Sequence, residues 1–244
     1  MTRRQAFRAA LTAGFSLALL LGSGGCGGSG SGGAATTFTF DFDQGVQGWT
    51  HGFADYPVDD DANFEFLFDA SVPIPDDAVP GKRGARIGGS NRSDDLFMFL
   101  KQKVSGLEAD RTYRVRFDVR LASNAPSGGV GAGGGPGESV TVKAGAVRSE
   151  PKPVQQNMAG TPYWRMNVEK GDQSVGGRDV LVLGNIGVPT GGAYVRKDLT
   201  SGASAFTVTT DSTGSAWLLV GTDSGYEGRT VLYYSRIEAV FTPL

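Results

Sequence analysis

The feature that most constrains this chain is an alternation of apolar and polar residues that begins at Phe38 and recurs almost to the carboxyl terminus. In residues 113–121, for example, Tyr, Val, Phe, Val and Leu alternate with Arg, Arg, Asp and Arg. A period of two places one row of side chains in a core and the other in water, which is the pattern of a half-buried β-strand. No stretch of the body keeps the helical period of 3.6. The sequence therefore predicts an all-β body.

The body is predicted to contain about ten short strands, separated by turns rich in Gly, Pro, Asn and Asp. Besides residues 113–121, the predicted strands are 38–43, 64–69, 95–104, 139–147, 164–169, 180–186, 205–210, 216–221 and 230–241. Many evenly spaced strands with polar turns predict an antiparallel β-sandwich of the jelly-roll type. Residues 38–244 are long enough for one such domain.

The amino-terminal 25 residues have the organisation of an export signal. Residues 1–8 are basic, residues 9–21 are apolar and residues 22–25 are small. The apolar run is shorter than the roughly 20 residues that a spanning helix needs. Cys26 follows, and residues 27–33 are nearly all Gly and Ser, the composition of a flexible linker. We expect a signal peptide over 1–25, a linker over 26–37 and the β-sandwich over 38–244.

The segment Gly24-Gly25-Cys26 resembles the lipobox of bacterial lipoproteins, although Ser23 stands where that family usually has Leu or Val. The resemblance implies cleavage before Cys26, attachment of acyl chains such as palmitate, and stable membrane anchoring. The alternative is ordinary signal-peptide cleavage nearby, which would leave a free thiol. Gly27 is not the Asp of an inner-membrane retention signal, so we expect the outer membrane or the cell surface. The pair Arg3-Arg4 resembles a twin-arginine signal, so the export route stays open.

Composition excludes several classes of function. Cys26 is the only cysteine, so no internal disulfide and no cysteine-based metal site can form. His51 is the only histidine, which removes multi-histidine zinc and iron sites. Beyond the leader, 20 Lys and Arg stand against 25 Asp and Glu, and a mildly acidic body argues against nucleic acid as a partner.

Residues 38–49, Phe-Thr-Phe-Asp-Phe-Asp-Gln-Gly-Val-Gln-Gly-Trp, resemble the opening of carbohydrate-binding modules with the galactose-binding-like jelly-roll fold. Residues 107–121 and 233–241 resemble the middle and closing strands of the same modules. The resemblance implies a glycan ligand. It also implies a structural calcium shared by the first and last strands, with Asp41, Asp43 and Glu238 as its ligands here, although the usual closing-strand Asp is absent. No other cofactor is expected.

Three polar stretches next to predicted strands carry the side chains that a sugar site needs, namely flat aromatic faces and groups that bond hydroxyls. The candidate ligand-binding residues are Trp49, His51, Asp55, Tyr56, Asn91, Asp94, Asp95, Asp223, Tyr226 and Glu227. The competing interpretation places Trp49 and Tyr56 in the core and the others in turns that need Asp, Asn or Gly for their geometry. The glycine-rich loop 123–138 is either a lid over a binding face or a plain solvated loop.

Catalytic signatures are absent from the sequence. One histidine and the lack of a Gly-x-Ser-x-Gly motif leave Ser-His-Asp catalysis without support. Two carboxylates at a suitable separation could hydrolyse a glycosidic bond, but a sequence does not show that separation. We therefore expect a non-enzymatic lipoprotein that binds a glycan or another extracellular ligand. The alternatives are a structural or assembly protein of the cell envelope and a polysaccharide-active enzyme.

Overall fold

The computed structural model of the protein describes residues 33–203 and 206–244. The predicted signal peptide and the predicted lipidation site at Cys26 lie outside the described residues. The described part contains fifteen strands and one short α-helix, α1 (Asp61–Phe64). In chain order the strands are β1 (Thr36–Asp41), β2 (Thr50–Ala54), β3 (Tyr56–Pro57), β4 (Leu67–Pro73), β5 (Arg83–Ser90), β6 (Leu96–Val104), β7 (Thr112–Ser123), β8 (Val140–Val147), β9 (Pro153–Met158), β10 (Thr161–Met166), β11 (Leu181–Asn185), β12 (Val195–Thr200), β13 (Thr207–Thr209), β14 (Ala216–Ser224) and β15 (Arg229–Pro243).

Two large sheets form the two layers of the sandwich. The first sheet has the order β12-β7-β15-β5-β4, with β1 also paired to β15 and β13 to β7. The second sheet has the order β11-β8-β14-β6-β2. Neighbouring strands in both sheets run antiparallel. The predicted all-β, antiparallel sandwich is confirmed. None of the described helices is long and apolar enough to cross a bilayer.

The main core lies between the two sheets. The apolar row of β7, from Tyr113 through Phe117 to Leu121, is buried, as the alternation predicts. It meets side chains of the second sheet such as Leu100 and Leu218. Each fully buried side chain of this size contributes about 1.5–3 kcal/mol to folding, so the facing rows hold the layers together.

The second sheet is buried on its outer face as well. In β6, Leu100 and Met98 point into the main core, whereas Phe97 and Phe99 belong to a separate apolar cluster. A third sheet, of order β3-β10-β9, and the loop that follows β10 supply the cover. We call residues 150–180 the covering segment. Because both faces of the second sheet are dry, β6 and β8 have apolar runs instead of alternation.

The covering segment lies directly on the sheet because β8 has a glycine beneath it. A Cβ at Gly145 would lie 2.1 Å from the carbonyl oxygen of Asp179 and 2.7 Å from the side chain of Val180. Val180 and Met166 of the covering segment then pack with Phe97 and Phe99. Any side chain at position 145 would lift this part of the segment off the sheet.

Two of the predicted strands are displaced by about three residues. The strands that the sequence did not predict are β2, β3, β5, β9 and β12. Residue 64 was predicted to start a strand, but Phe64 ends α1, and Glu65 adopts a left-handed φ of 48° before β4 begins at Leu67. The strand predicted over 164–169 is Thr161–Met166. β5 contains Gly84, Gly88 and Gly89, so it lacks the alternating side chains on which the sequence prediction depends.

The turn between β13 and β14 is held by one carboxylate. Oδ1 of Asp211 accepts hydrogen bonds from Thr213 Oγ1 at 2.6 Å, Thr213 N at 2.8 Å and Ser215 N at 2.9 Å. The hydrogen bonds from Thr213 and Ser215 lower the pKa of Asp211 to about 2. A carboxyl whose pKa is depressed on folding stabilises the fold above its unfolded pKa, and that contribution disappears as the pH falls through the folded value.

We predict that Asp211→Asn reduces the acid sensitivity of the protein. Between about pH 4 and pH 2 the native protein should lose stability that the variant, which has no titrating group here, does not lose. Urea unfolding of both proteins at several pH values measures the difference. Equal slopes of stability against pH for the two proteins would contradict this role.

Candidate functional site

Three of the predicted site residues meet at one end of the second sheet. Asp55 follows β2, Asp95 precedes β6 and Asp223 lies near the end of β14, and these three strands are neighbours. One carboxylate oxygen from each lies within 4.8 Å of the other two. Among the described residues, this is the one group of three metal-ligating side chains that comes together in this way.

Three cations neutralise these carboxylates. The lysine–carboxylate cluster consists of Asp55, Asp95, Asp223, Lys143, Arg165 and Lys170. Nζ of Lys170 lies 2.7 Å from Asp223 Oδ2, 2.9 Å from Asp55 Oδ2 and 3.6 Å from Asp95 Oδ1. Arg165 approaches Asp55 Oδ1 and Asp95 Oδ2, each at 3.0 Å. The ammonium of Lys170 therefore holds the central position, where a metal ion would have to sit.

Lys143 approaches Asp223 from the neighbouring strand. It projects from β8, and its Nζ donates to Asp223 Oδ2 at 2.7 Å and to the carbonyl oxygens of Lys170 at 2.9 Å and Val175 at 2.7 Å. An ammonium has three donors, so these bonds use all of them. Lys143 thus binds the backbone of the covering segment, while Lys170 of that segment binds the carboxylates of the sheet.

The cluster is deeply buried. The side chains of Asp55, Asp223 and Lys143 have no exposed surface, and that of Lys170 is 5% exposed. Burial raises the pKa of Asp55, and it raises that of Asp223 to about 7 although Lys170 and Lys143 oppose this. Burial also lowers the pKa of Lys143, against the pull of Asp223. For Lys170 burial again favours the neutral form, but the carboxylates of Asp223, Asp55 and Asp95 outweigh it and raise the pKa.

A small polar pocket of about 180 Å³ opens above the cluster. Asp55, Arg165 and Lys170 form its floor, and Gln156 and Glu169 are at its walls. Both oxygens of the Asp55 carboxylate already face a cation. The arrangement can join the covering segment to the sheet, but it presents no free carboxylate to a ligand.

Two of the predicted ligand residues belong to the core, and the prediction is wrong for them. Trp49 is 2% exposed, and its ring packs edge-on against Phe40 with 5.2 Å between centroids. Tyr56 is 7% exposed and packs against Phe64 and Phe66. Their rings fill space between the sheets, so neither can stack on a sugar.

His51 lies on the edge strand β2 of the second sheet. It is exposed, and its ring stacks on Phe68 of β4 at 3.9 Å between centroids. Phe53 and Phe66 make a parallel pair in the same way at 4.0 Å. These pairs join the edges of the two sheets, so His51 has a packing partner and is not part of the cluster.

Asn91 and Asp94 have supporting roles in the structure. The buried amide of Asn91 donates to the carbonyl oxygens of Ser224 at 2.7 Å and Tyr226 at 3.1 Å, which fixes the loop before β15. Asp94 offers its backbone oxygen to Gln173 of the covering segment at 2.8 Å. Glu227, in the same loop as Tyr226, is exposed.

The predicted calcium ligands do not come together. Asp43 accepts from Lys82 Nζ at 2.8 Å and from the backbone N–H of Arg83 at 3.0 Å. Glu238 pairs with Arg236 at 2.6 Å and with Arg116 at 3.8 Å. Asp41 caps the next turn by accepting from the N–H of Asp43 at 3.0 Å. Each carboxylate thus has its own partner, and the calcium site is not supported.

Tyr226 lies in a groove at the loop end of the sandwich. We call this groove, with a volume of about 240 Å³, the end groove. Its lining includes Asn124, Pro126, Pro136, Tyr226, Arg229 and Thr230. Arg229 forms an exposed ion pair with Glu65 at 3.0 Å. An aromatic ring and two prolines therefore share this space with an amide, a guanidinium and a hydroxyl.

The glycine-rich loop forms one wall of the end groove. Glu227 N donates to Ala132 O at 2.9 Å, and Gly225 N donates to Ser139 O at 2.9 Å. A Cβ at Gly131 would lie 2.6 Å from the Tyr226 ring, so glycine lets the loop lie against that ring. The loop is packed and hydrogen-bonded along this side. The sequence suggested either a lid over a binding face or a plain solvated loop, and the packed wall matches neither.

Sequence reasoning found the carboxylates of the cluster but missed its cations. Lys143 did carry a signal, because it is the one charged residue in the apolar run Val140–Val147. A charge in the middle of a strand that is buried on both faces needs a partner. Arg165 and Lys170 carried no such signal, since they lie in ordinary polar sequence whose position over the sheet depends on the fold.

Comparisons with known proteins identify structures but no family. No family model matches the chain. No curated protein matches it either. One solved structure, described as a study of the promiscuous specificity of carbohydrate-binding modules from the β-sandwich superfamily, is 15% identical with a TM-score of 0.39. The match covers 80% of this chain and 58% of that one.

Two further solved structures are similar to the same degree. A family 61 carbohydrate-binding module in complex with β-1,4-galactotriose is 11% identical with a TM-score of 0.37, and the match covers 81% of this chain and 92% of that one. A family 11 carbohydrate-binding module of a Clostridium thermocellum cellulosomal cellulase is 8% identical with a TM-score of 0.37, covering 85% and 95%. All three TM-scores are below 0.5, so the likeness establishes no shared ligand.

We predict that Lys170→Met destabilises the protein strongly. Removing one partner from a buried ion cluster leaves uncompensated charge and typically costs about 3–5 kcal/mol. The free energy of unfolding in urea measures the loss.

Lys82→Met is the matched control, because Lys82 makes a single ion pair with Asp43 at the surface. Its effect should be much smaller, since exposed pairs are screened by water. Equal losses for the two variants would contradict the role assigned to Lys170.

Proposed function

We propose that the protein is an exported, lipid-anchored, non-catalytic binding protein whose body binds a glycan in the end groove. The observation that carries the proposal is the composition of that groove. A pyranose ring offers an apolar C–H face and a rim of hydroxyls, so its recognition needs an aromatic or apolar surface together with a few directed polar groups. In the end groove the apolar surface consists of Tyr226, Pro126 and Pro136. The directed polar groups are those of Asn124 and Arg229.

The size of the end groove suits part of a polymer. Pockets that enclose a whole small molecule usually measure about 300–1,000 Å³, and the end groove measures about 240 Å³. It is bounded by the loops before β15 and after β7, so a longer chain could continue past it into solvent. A terminal or internal sugar unit of an envelope or extracellular polysaccharide fits this description.

The two outer faces of the sandwich are less suitable. The covering segment occupies much of the outer face of the second sheet. The outer face of the first sheet has a groove of about 300 Å³. None of the described residues that line it is aromatic, so it offers no flat face on which a sugar ring could stack.

The charge pattern of the cluster supports a non-catalytic role. Hydrolysis of a glycosidic bond requires two carboxyl groups that reach the substrate. Asp55 and Asp223 have no exposed side-chain surface and contact lysine, and Asp95 contacts Arg165. A structural or assembly role in the envelope would require none of the polar groups in the end groove.

We predict that Arg229→Met weakens glycan binding about tenfold or more, because a hydrogen bond to a charged group contributes about 1.5–3 kcal/mol. The measurement is retention of the protein in gels that contain each of a panel of polysaccharides, at several polymer concentrations.

Arg236→Met is the matched control for this test. Arg236 lies on the same strand, is as exposed as Arg229 and also pairs with a glutamate. Its substitution should leave retention unchanged. If no polysaccharide retains the native protein, or if both variants bind as the native protein does, the end groove is not a glycan site.

We also predict that Cys26 determines attachment to the membrane. Cys26→Ser should move the protein from the membrane fraction to the soluble fraction after expression in a bacterial host, because stable anchoring needs the acyl chains. Cys26→Ser combined with Ser29→Cys is the control, since it restores a thiol without the lipobox position. Membrane attachment of either variant would contradict lipidation at Cys26.

A further inference from the structure

We propose that Lys170 and Asp223 form an intramolecular amide bond, in which Nζ of Lys170 joins Cγ of Asp223 and one water molecule leaves. This inference is independent of the glycan proposal. It concerns a covalent link between the covering segment and β14, the central strand of the second sheet.

The first observation is the position of the two groups. Nζ of Lys170 lies 2.7 Å from Asp223 Oδ2, so the amine is in direct contact with the carboxyl that it would attack. The other oxygen of that carboxyl, Oδ1, is buried and has no hydrogen-bond partner. Oδ1 is therefore the oxygen that can take up protons and leave as water, while Lys143 holds Oδ2 in place.

The second observation is the presence of a cation at the retained oxygen. Lys143 Nζ donates to Asp223 Oδ2 at 2.7 Å. When the amine adds to Cγ, negative charge develops on this oxygen. A fixed ammonium in a water-poor site stabilises such charge without reorganisation.

The third observation is a second carboxylate in contact with the amine. Asp55 Oδ2 lies 2.9 Å from Lys170 Nζ, and burial raises the pKa of Asp55. The neighbouring carboxylates raise the pKa of Lys170 and hold it as an ammonium, so it can attack Cγ only after it gives a proton to Asp55, which then passes that proton on as a general acid. Asp95 is further from Nζ, at 3.6 Å.

The reaction balances without any further reagent. One bond forms, Nζ–Cγ, and one breaks, Cγ–Oδ1. Two of the three protons of the Lys170 ammonium pass by way of Asp55 to Oδ1, which leaves as water, and the third remains as the amide N–H. One positive and one negative charge disappear together, so Lys143, Arg165, Asp55 and Asp95 remain as two cations and two anions.

The surroundings favour condensation over hydrolysis. Phe97 lies under Lys170, with Nζ 5.2 Å from the ring centroid, and Phe97 is fully buried. The exclusion of water favours the condensation of Lys170 with Asp223, which releases a water molecule. It also removes the hydration that would stabilise the two groups as ions.

Lys170 fits the role of nucleophile better than Lys143. Lys143 uses all three of its donors, two of them for the carbonyl oxygens of Lys170 and Val175. As an amide nitrogen it would keep one donor and leave these buried oxygens without a partner. The polar neighbours of Lys170 are mainly carboxylates, of which one is consumed and one takes the proton.

The test is a tryptic map of the full chain after denaturation. We expect residues 166–178, uncleaved at Lys170, joined to residues 198–229, with a mass equal to their sum less one water. Separate peptides 166–170 and 198–229 would overturn the proposal. Residues 121–148 joined to 198–229 would overturn the choice of lysine, because that species contains Lys143.

Two variants test the role of Asp55. Asp55→Asn keeps the size of the side chain and both linking partners, and we expect it to slow the reaction by about 10²–10⁴-fold, the usual effect of losing an acid–base group. The linked peptide should then be missing from freshly purified protein. Asp95→Asn is the matched control and should retain it. A linked Asp55→Asn protein would overturn the role of Asp55, and circular dichroism verifies that both variants are folded.

Discussion

Before the proposed amide bond forms, the structure depends on one oxygen atom, Oδ2 of Asp223, which accepts from Lys143 and from Lys170 at 2.7 Å each. One lysine belongs to the sheet and the other to the covering segment. At an effective dielectric constant of 20, opposite charges about 4 Å apart attract by about 4 kcal/mol. Desolvation offsets much of this gain. The geometry of the cluster matters more than its net free energy, because the carboxylates meet their cations only when the covering segment lies in this one position on the sheet.

The apolar and the ionic parts of this contact act together. Phe97 and Phe99 would be exposed if the covering segment were absent, and burying each contributes about 1.5–3 kcal/mol. Apolar contact alone would permit several positions of a segment on a flat sheet. The buried ions permit only one position, since any shift of the covering segment leaves charges unpaired. The covering segment therefore occupies much of the outer face of the second sheet.

The sequence predicted the layers well and the cluster in part. Alternation in residues 113–121 identified β7 because one face of the first sheet is in water. The same reasoning cannot identify β5, whose glycines have no side chains to alternate. Asp55, Asp95 and Asp223 could be singled out because they flank strands. That the carboxylates are neutralised by Lys143, Arg165 and Lys170 depends on strand order and on where residues 150–180 fold back, which no local pattern records.

The ion cluster makes the covering segment part of the cooperative fold instead of a mobile flap. Native-state hydrogen exchange, followed residue by residue at low denaturant, distinguishes these two states. The hydrogen-bonded amides of residues 166–180 should exchange with the same free energy as those of β8 and β14, through global unfolding. If residues 166–180 exchange with a much smaller free energy while β8 and β14 stay protected, the cluster does not hold the segment on the sheet.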